Sequence, residues 1–510
     1  MATLTGLGNE WRSSRLPAWT TAWPAALAWW LLGLAAGVPV LEAAARYPAH
    51  VVLSVAGALV VMGAALVVLR NPAWGACALI VIVYWNLSDV VTDTWGFGWV
   101  LRLALAGVAA AGALDVLISE PRRGRWPVLA AMLAYGAAQA LATPGAMDPA
   151  VAHAALIEYG KALVVFYLVT NLLRTPRALR WGVNAVLLGV VLLGAPVIYQ
   201  GVTGTSSQLW GFGSRFYKEI VPGQFGWRLG GAMGDPNFLA MVLVAALPLA
   251  LMQAIERGAS RWRRAGALTA AAVALGATLY TYSRASLIGV ALVALVLMVR
   301  HPRRRWVLAG TAAALLAAVV VMPQSFFSRL ATLTEFGQVR RLQLPDSSFQ
   351  VRLNADYSGT LMFLQHPLLG VGPGNYPDNY QHYSALAGLA IDPTMRDPHN
   401  LYIQIASETG LAGLASFAFL MWASFALMER GRRRLRRLRA ENFADLIWAL
   451  ELALATYLVL SMFLHGAYFR HFLLLLALGT LGGTMALDGA AGDAAPGTLA
   501  PRSGQLHSVG

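Results

Sequence analysis

Asp397-Pro398-His399-Asn400-Leu401-Tyr402-Ile403-Gln404-Ile405 is the point where the chain leaves its longest polar stretch, residues 323–400, and enters an apolar helix. Elsewhere apolar runs follow one another with brief polar connections. The junction therefore reads as the edge of a large extramembrane loop set into a series of membrane-spanning helices. Asp397 and Pro398 mark a helix start, and the first turn is expected to hold His399 near backbone N–H groups that have no intrahelical partner. The positive end of the helix dipole disfavours an imidazolium there, which leaves a ring able to accept a proton. A general base needs that state. The competing reading is a histidine that merely caps or orients the loop.

The 510 residues are 58% hydrophobic and 12% charged, about half the charged share of a soluble domain. Apolar runs of roughly 16–25 residues are long enough to cross a hydrocarbon core about 30 Å thick. They fall at approximately 23–41, 51–69, 74–92, 97–118, 128–143, 154–172, 181–199, 238–255, 265–281, 285–300, 306–322, 401–428, 444–464 and 471–487. The expected fold is all-α, a polytopic bundle of about 12–14 spans with a large outer loop domain. Its parts are an N-terminal scaffold (1–200), a middle region (201–430) with outer loops 201–237 and 323–400, the closing spans (431–487) and a disordered tail (488–510).

Orientation follows from charge. With a cytoplasmic N-terminus, the inner connections are Arg70-Asn71, Pro121–Arg125, Arg174–Arg180, Arg257–Arg264, Arg300–Arg305 and Glu429–Arg439, all basic, the last with seven arginines in eleven residues. The outer connections include 201–237, 323–400 and 465–471; residues 323–400 carry five arginines against six acids. This is the positive-inside pattern, with both termini cytoplasmic. It also accounts for the net charge of +14 without invoking nucleic acid. Cys77 is the only cysteine, so no intramolecular disulfide can form and a thiolate metal site is not expected.

Two arginines stand out on the outer side. Arg284, in Tyr282-Ser283-Arg284-Ala285-Ser286, lies between two apolar runs with almost no loop, and Arg228 lies in Gly226-Trp227-Arg228-Leu229-Gly230-Gly231, just before Gly234-Asp235-Pro236-Asn237 opens a span. A charge near hydrocarbon usually marks a pathway or ligand, although a snorkelling arginine is the common alternative. As a pair they suit a diphosphate, because guanidinium offers fixed bidentate donors to phosphate oxygens. Arg215, Lys218 and Arg352 are further candidate substrate contacts; His366 and His382 read as structural or exposed. There is no HExxH spacing, and Gly370–Asn375 lacks the Lys-Ser/Thr end of a P-loop and reads as turns. Nothing calls for a cofactor.

The order Arg, Gly-Asp-Pro-Asn-Phe, span, Ser-Arg, span, then His366-Pro-Leu-Leu-Gly-Val-Gly-Pro-Gly-Asn-Tyr376 and His399-Asn-Leu-Tyr-Ile-Gln-Ile-Ala-Ser-Glu-Thr-Gly-Leu-Ala-Gly413 resembles the O-antigen ligase/polymerase family, over roughly residues 200–430. The resemblance implies a glycosyltransferase of the bacterial inner membrane acting at the periplasmic face. Its donor would be an undecaprenyl diphosphate-linked glycan. Its acceptor would be lipid A-core, a growing glycan or, as in the related O-oligosaccharyltransferases, a protein hydroxyl. It casts His399 as the residue that activates the acceptor hydroxyl and Arg228 and Arg284 as the diphosphate contacts, with Arg352 a looser match. Direct displacement would invert the anomeric centre, without metal or nucleotide. A transporter is the reading from another class, and it would want paired, broken helices in two repeated halves; no internal repeat is visible.

Overall fold

Short polar residues followed by proline open four of the helices. In the computed structural model, which describes residues 71–94, 96, 126–221, 224–300, 347–389, 397–466 and 470–494, the Asp148 carboxylate accepts from the N–H groups of Ala150 and Val151, and Thr175 Oγ1 from that of Ala178. The Asp235 carboxylate does the same for Asn237 and Phe238. Each satisfies donors a helix start leaves open, and the proline after each has no N–H to lose.

In chain order the helices are α1 (Pro72–Tyr84), α2 (Leu87–Asp93), α3 (Trp126–Ala142), α4 (Pro149–Leu172), α5 (Pro176–Thr203), α6 (Pro236–Ala254), α7 (Arg261–Tyr280), α8 (Arg284–Arg300), α9 (Ser347–Gln365), α10 (Tyr376–Leu386), α11 (Leu401–Arg437), α12 (Glu441–Leu460) and α13 (Arg470–Ala494). Among the described residues seven helices are long and apolar enough to cross a membrane, or eight if the bent pair α1–α2 counts as one span. That pair turns by 59° at Trp85-Asn86, where Asn86 adopts φ 56 and donates to the Ala232 carbonyl. The expected spans 23–41, 51–69, 97–118 and 306–322, like 323–346, 390–396 and 495–510, lie outside the described residues.

Helices α6 and α13 are the innermost of the spans, with 78% and 83% of their apolar windows buried. Helix α6 packs on α7, α8 and α12, and α13 on α4, α11 and α12. Close approach rests on small residues: a Cβ on Gly483 of α13 would sit 2.9 Å from the Leu427 carbonyl oxygen of α11.

Two features depart from the expected layout. Residues Ser214–Val221 (β1) and Gln224–Gly231 (β2) form an antiparallel hairpin within the 201–237 loop, with Tyr217 opposite Trp227 and Phe216 opposite Arg228. And α13 continues to Ala494, into the stretch expected to be a disordered tail.

Helix α11 is broken at Gly410, which takes φ 60 and ψ −154. The Leu411 and Ala412 N–H groups donate to the Pro367 and Leu368 carbonyls, at 2.7 and 3.2 Å, while Val371 and Gly372 donate to Ser407 and Glu408, at 2.8 and 3.0 Å. Irregular backbone is tolerated at such a place because protein, not lipid, takes its polar groups. Gly370, at φ 68, lies so close to the Ser407–Thr409 backbone that a side chain would overlap it. Asn375 then ties these turns to the start of α4: its Oδ1 accepts from Asp148 N at 2.6 Å and its Nδ2 donates to Asp148 O at 3.1 Å.

Candidate active site

Arg228 is buried, on β2. Its Nε donates to the Thr281 carbonyl at 2.9 Å, and its terminal NH2 donates to Asn237 Oδ1 at 2.8 Å. One side chain thus joins the hairpin, the first turn of α6 and the turn between α7 and α8. That turn has no spare residues: Tyr282 takes φ 53, a conformation uncommon for a non-glycine residue, and Arg284 opens α8 directly after it. Arg228 and Arg284 are therefore held on the same turn. Both acceptors of these Arg228 bonds are neutral.

His399 stands just before the cap of α11. The cap itself is Asn400, whose Oδ1 accepts from Tyr402 N at 3.0 Å and Ile403 N at 3.3 Å. The sequence reading placed His399 in the first turn; the helix starts two residues later, because the Asn400 side chain satisfies the donors that His399 was expected to face. The Leu401 N–H, still open, donates to the Ser461 carbonyl at 2.9 Å, which anchors this corner to the end of α12.

A second histidine, missed in the sequence reading, completes the corner. His465 follows α12; its ring centroid lies 6.0 Å from that of His399 and 4.9 Å from Phe238, which it meets edge-on. Phe238 neighbours Asn237, the Arg228 acceptor. Packing thus runs from His399 through His465 and Phe238 to Arg228 around the first turn of α6. The available signal was topological: 465–471 is an outer connection by the same parity that placed 201–237 and 323–400 together.

The remaining candidates are used differently. Arg215 lies 4.1 Å above the Trp227 ring and donates to the Thr205 carbonyl at 2.6 Å, bracing the hairpin to its preceding loop. Lys218 sits on β1 opposite Gly226. Arg352 is on α9, one turn from Asp356. Burial pushes the Asp356 carboxyl up to about 6, although the Arg352 charge opposes it. His366 Nε2 lies 3.0 Å from the Tyr383 hydroxyl, and the His382 ring meets Tyr383 edge-on. Both histidines are exposed and touch Tyr383 at the edge of the small core that α9 and α10 share with Val371, made of Ala355, Met362, Val371, Tyr376, Tyr380 and Tyr383. Among the described residues no group of three or more His, Cys, Asp and Glu side chains could hold a metal ion. A cavity of about 600 Å³ opens elsewhere, at the far end of α6, lined by Arg180, Glu256, Arg300, Arg432 and Glu441 among others.

Residues 269–418 match the family model described as O-antigen ligase. The match takes in Arg284, Arg352, His399 and the interlocked turns at 366–372 and 407–412; Arg228 and His465 lie outside it. No curated protein matches the chain.

Proposed function

We propose, from the match of residues 269–418 to the family model described as O-antigen ligase, a multi-pass membrane glycosyltransferase that moves a glycan from a polyprenyl diphosphate to an acceptor hydroxyl. The observation that carries this reading is the convergence of Arg228, the Arg284 turn and the His399–His465 corner on the first turn of α6.

In this reading the diphosphate lies against Arg228 and Arg284, and His399 faces the acceptor. As the hydroxyl oxygen attacks the anomeric carbon, its proton passes to the His399 imidazole. The bond from that carbon to the diphosphate oxygen breaks, and the electron pair leaves with the diphosphate. Guanidinium groups held beforehand stabilise charge that grows on the leaving group, which lowers the barrier more than it tightens ground-state binding. A single displacement inverts the anomeric centre. The polyprenyl chain would lie against the apolar spans. The charge pattern supports an outward-facing site, and the resemblance to O-antigen ligases implies a bacterial inner membrane, a site facing the periplasm and an undecaprenyl diphosphate glycan as donor. Lipid A-core or a growing glycan is the favoured acceptor, and a protein hydroxyl is the alternative within the same chemistry.

The test is transfer by the protein in nanodiscs, with polyprenyl diphosphate-glycan and each acceptor class. His399→Ala is expected to lower turnover by roughly 10²–10⁴-fold while donor binding persists. Turnover at the wild-type rate in that variant would remove His399 from the chemistry, and the acceptor that gains mass identifies the subclass.

A further inference from the structure

His465 also meets the segment that carries the candidate base. Its Nε2 lies 3.9 Å from the Asp397 carboxylate, and the backbone of Pro398, the residue directly before His399, is close enough to favour its charged form. The next residue, Gly466, donates its N–H to Gln404 Oε1 on α11 at 3.0 Å. With Leu401 N on Ser461 O, the α12–α13 connection grips the 397–404 segment on both sides of His399. Phe238, from α6, closes the far side of the ring.

We propose that His465 is a positioning residue for His399: its ring clamps the Asp397-Pro398 step and so fixes the pose of the His399 imidazole. The proposal rests on the reading of His399 as the base, and it adds a residue that lies outside the family match. The titratable groups facing His465 are Asp397 and His399 from the segment before α11 and Asp235 from the turn before α6. Burial lowers the proton affinity of His465, against the pull of Asp397, Asp235 and the Pro398 backbone. The ring is thus kept neutral near pH 7. Charging it in acid sets a cation beside His399, which lowers the basicity of that ring, and pulls the Asp397 carboxylate toward His465.

The experiment compares wild type with His399→Ala, His465→Ala and His465→Gln in nanodiscs, glutamine keeping a side-chain N–H for the Pro398 backbone. With His399→Ala inactive, His465→Ala is expected to lose kcat on the order of 10²-fold with the donor KM unchanged, and His465→Gln to recover most of it. The second readout needs no donor: the rate of His399 modification by diethyl pyrocarbonate, followed by mass spectrometry against pH. Wild type should show two inflections, one for each histidine, and His465→Gln one. A His465→Ala enzyme with wild-type kcat overturns the clamp alone. So does a His465→Gln profile that keeps both inflections. His399→Ala transferring at the wild-type rate overturns the clamp together with the base assignment.

Discussion

The two ends of α6 use charge in opposite ways. The helix has 19 residues, so its ends stand about 28 Å apart. At the far end Arg180 meets Glu256 at 2.7 Å, Arg263 also reaches Glu256, Arg257 meets Glu441 at 3.0 Å, Arg432 meets Glu451 at 3.3 Å, and Arg436 meets Asp445 at 3.4 Å. At the near end Arg228 bonds to a backbone carbonyl and a carboxamide. A guanidinium neutralised by carboxylate ties helices together. One fixed by neutral oxygens is equally rigid, but its field is not cancelled by those two partners. The cavity at the far end, lined by ion pairs, reads as structural.

The largest expected effect comes from removing an acid at the structural end. Glu256 is shared by two arginines with all three side chains largely buried. Glu256→Ala should cost about 3–5 kcal/mol of stability, because it leaves cations without their partner, yet the folded fraction should transfer glycan at the wild-type rate. Thermal denaturation and turnover per folded molecule check this, and a turnover loss larger than the folded-fraction loss breaks the comparison. Next is Arg228→Lys, which keeps charge but cannot serve Thr281 and Asn237 with a planar fork. Turnover is expected to fall about 10²-fold with a much smaller change in melting temperature. An unfolded Arg228→Lys protein would make the near end structural too.

Asp356 sharpens the contrast through pH. Its carboxyl is raised from 3.8 to about 6, chiefly by burial, so the folded chain binds this proton more tightly than the unfolded chain. Stability is then highest below about pH 4 and declines as pH rises to about 6. Asp356→Asn should therefore melt higher than wild type at pH 7 and no higher at pH 4. The reverse order would mean that Arg352 outweighs burial. The smallest effect is Arg257→Ala: its partner Glu441 and it are both well exposed, and the change should stay within about 1 kcal/mol.

Much of the bundle was legible because apolar runs and caps are local signals. The run at 154–172 is helix Pro149–Leu172, begun earlier by Asp148 and Pro149. The hairpin was not recognised, although Arg215, Tyr217 and then Phe225, Trp227 alternate with the period of a strand; glycines and a short loop hid the pattern. The break in α11 could not be read from 401–437, since what bends it is backbone 40 residues upstream in the chain. The site divides likewise. Arg228 and Arg284 were singled out by charge at the edges of apolar runs, and His399 by its place at a helix mouth. His465 looks like any histidine in a short connection, and only the folded corner shows what it touches.

The stitched break in α11 also bears on how the molecule is made. Residues 367–372 leave the ribosome before 407–412, so the receiving backbone exists before the span that it receives. Inserted alone, α11 could close as one straight helix with every amide paired internally. The bend at Gly410 is then acquired on docking, when bonds to Pro367, Leu368, Val371 and Gly372 replace those within the helix.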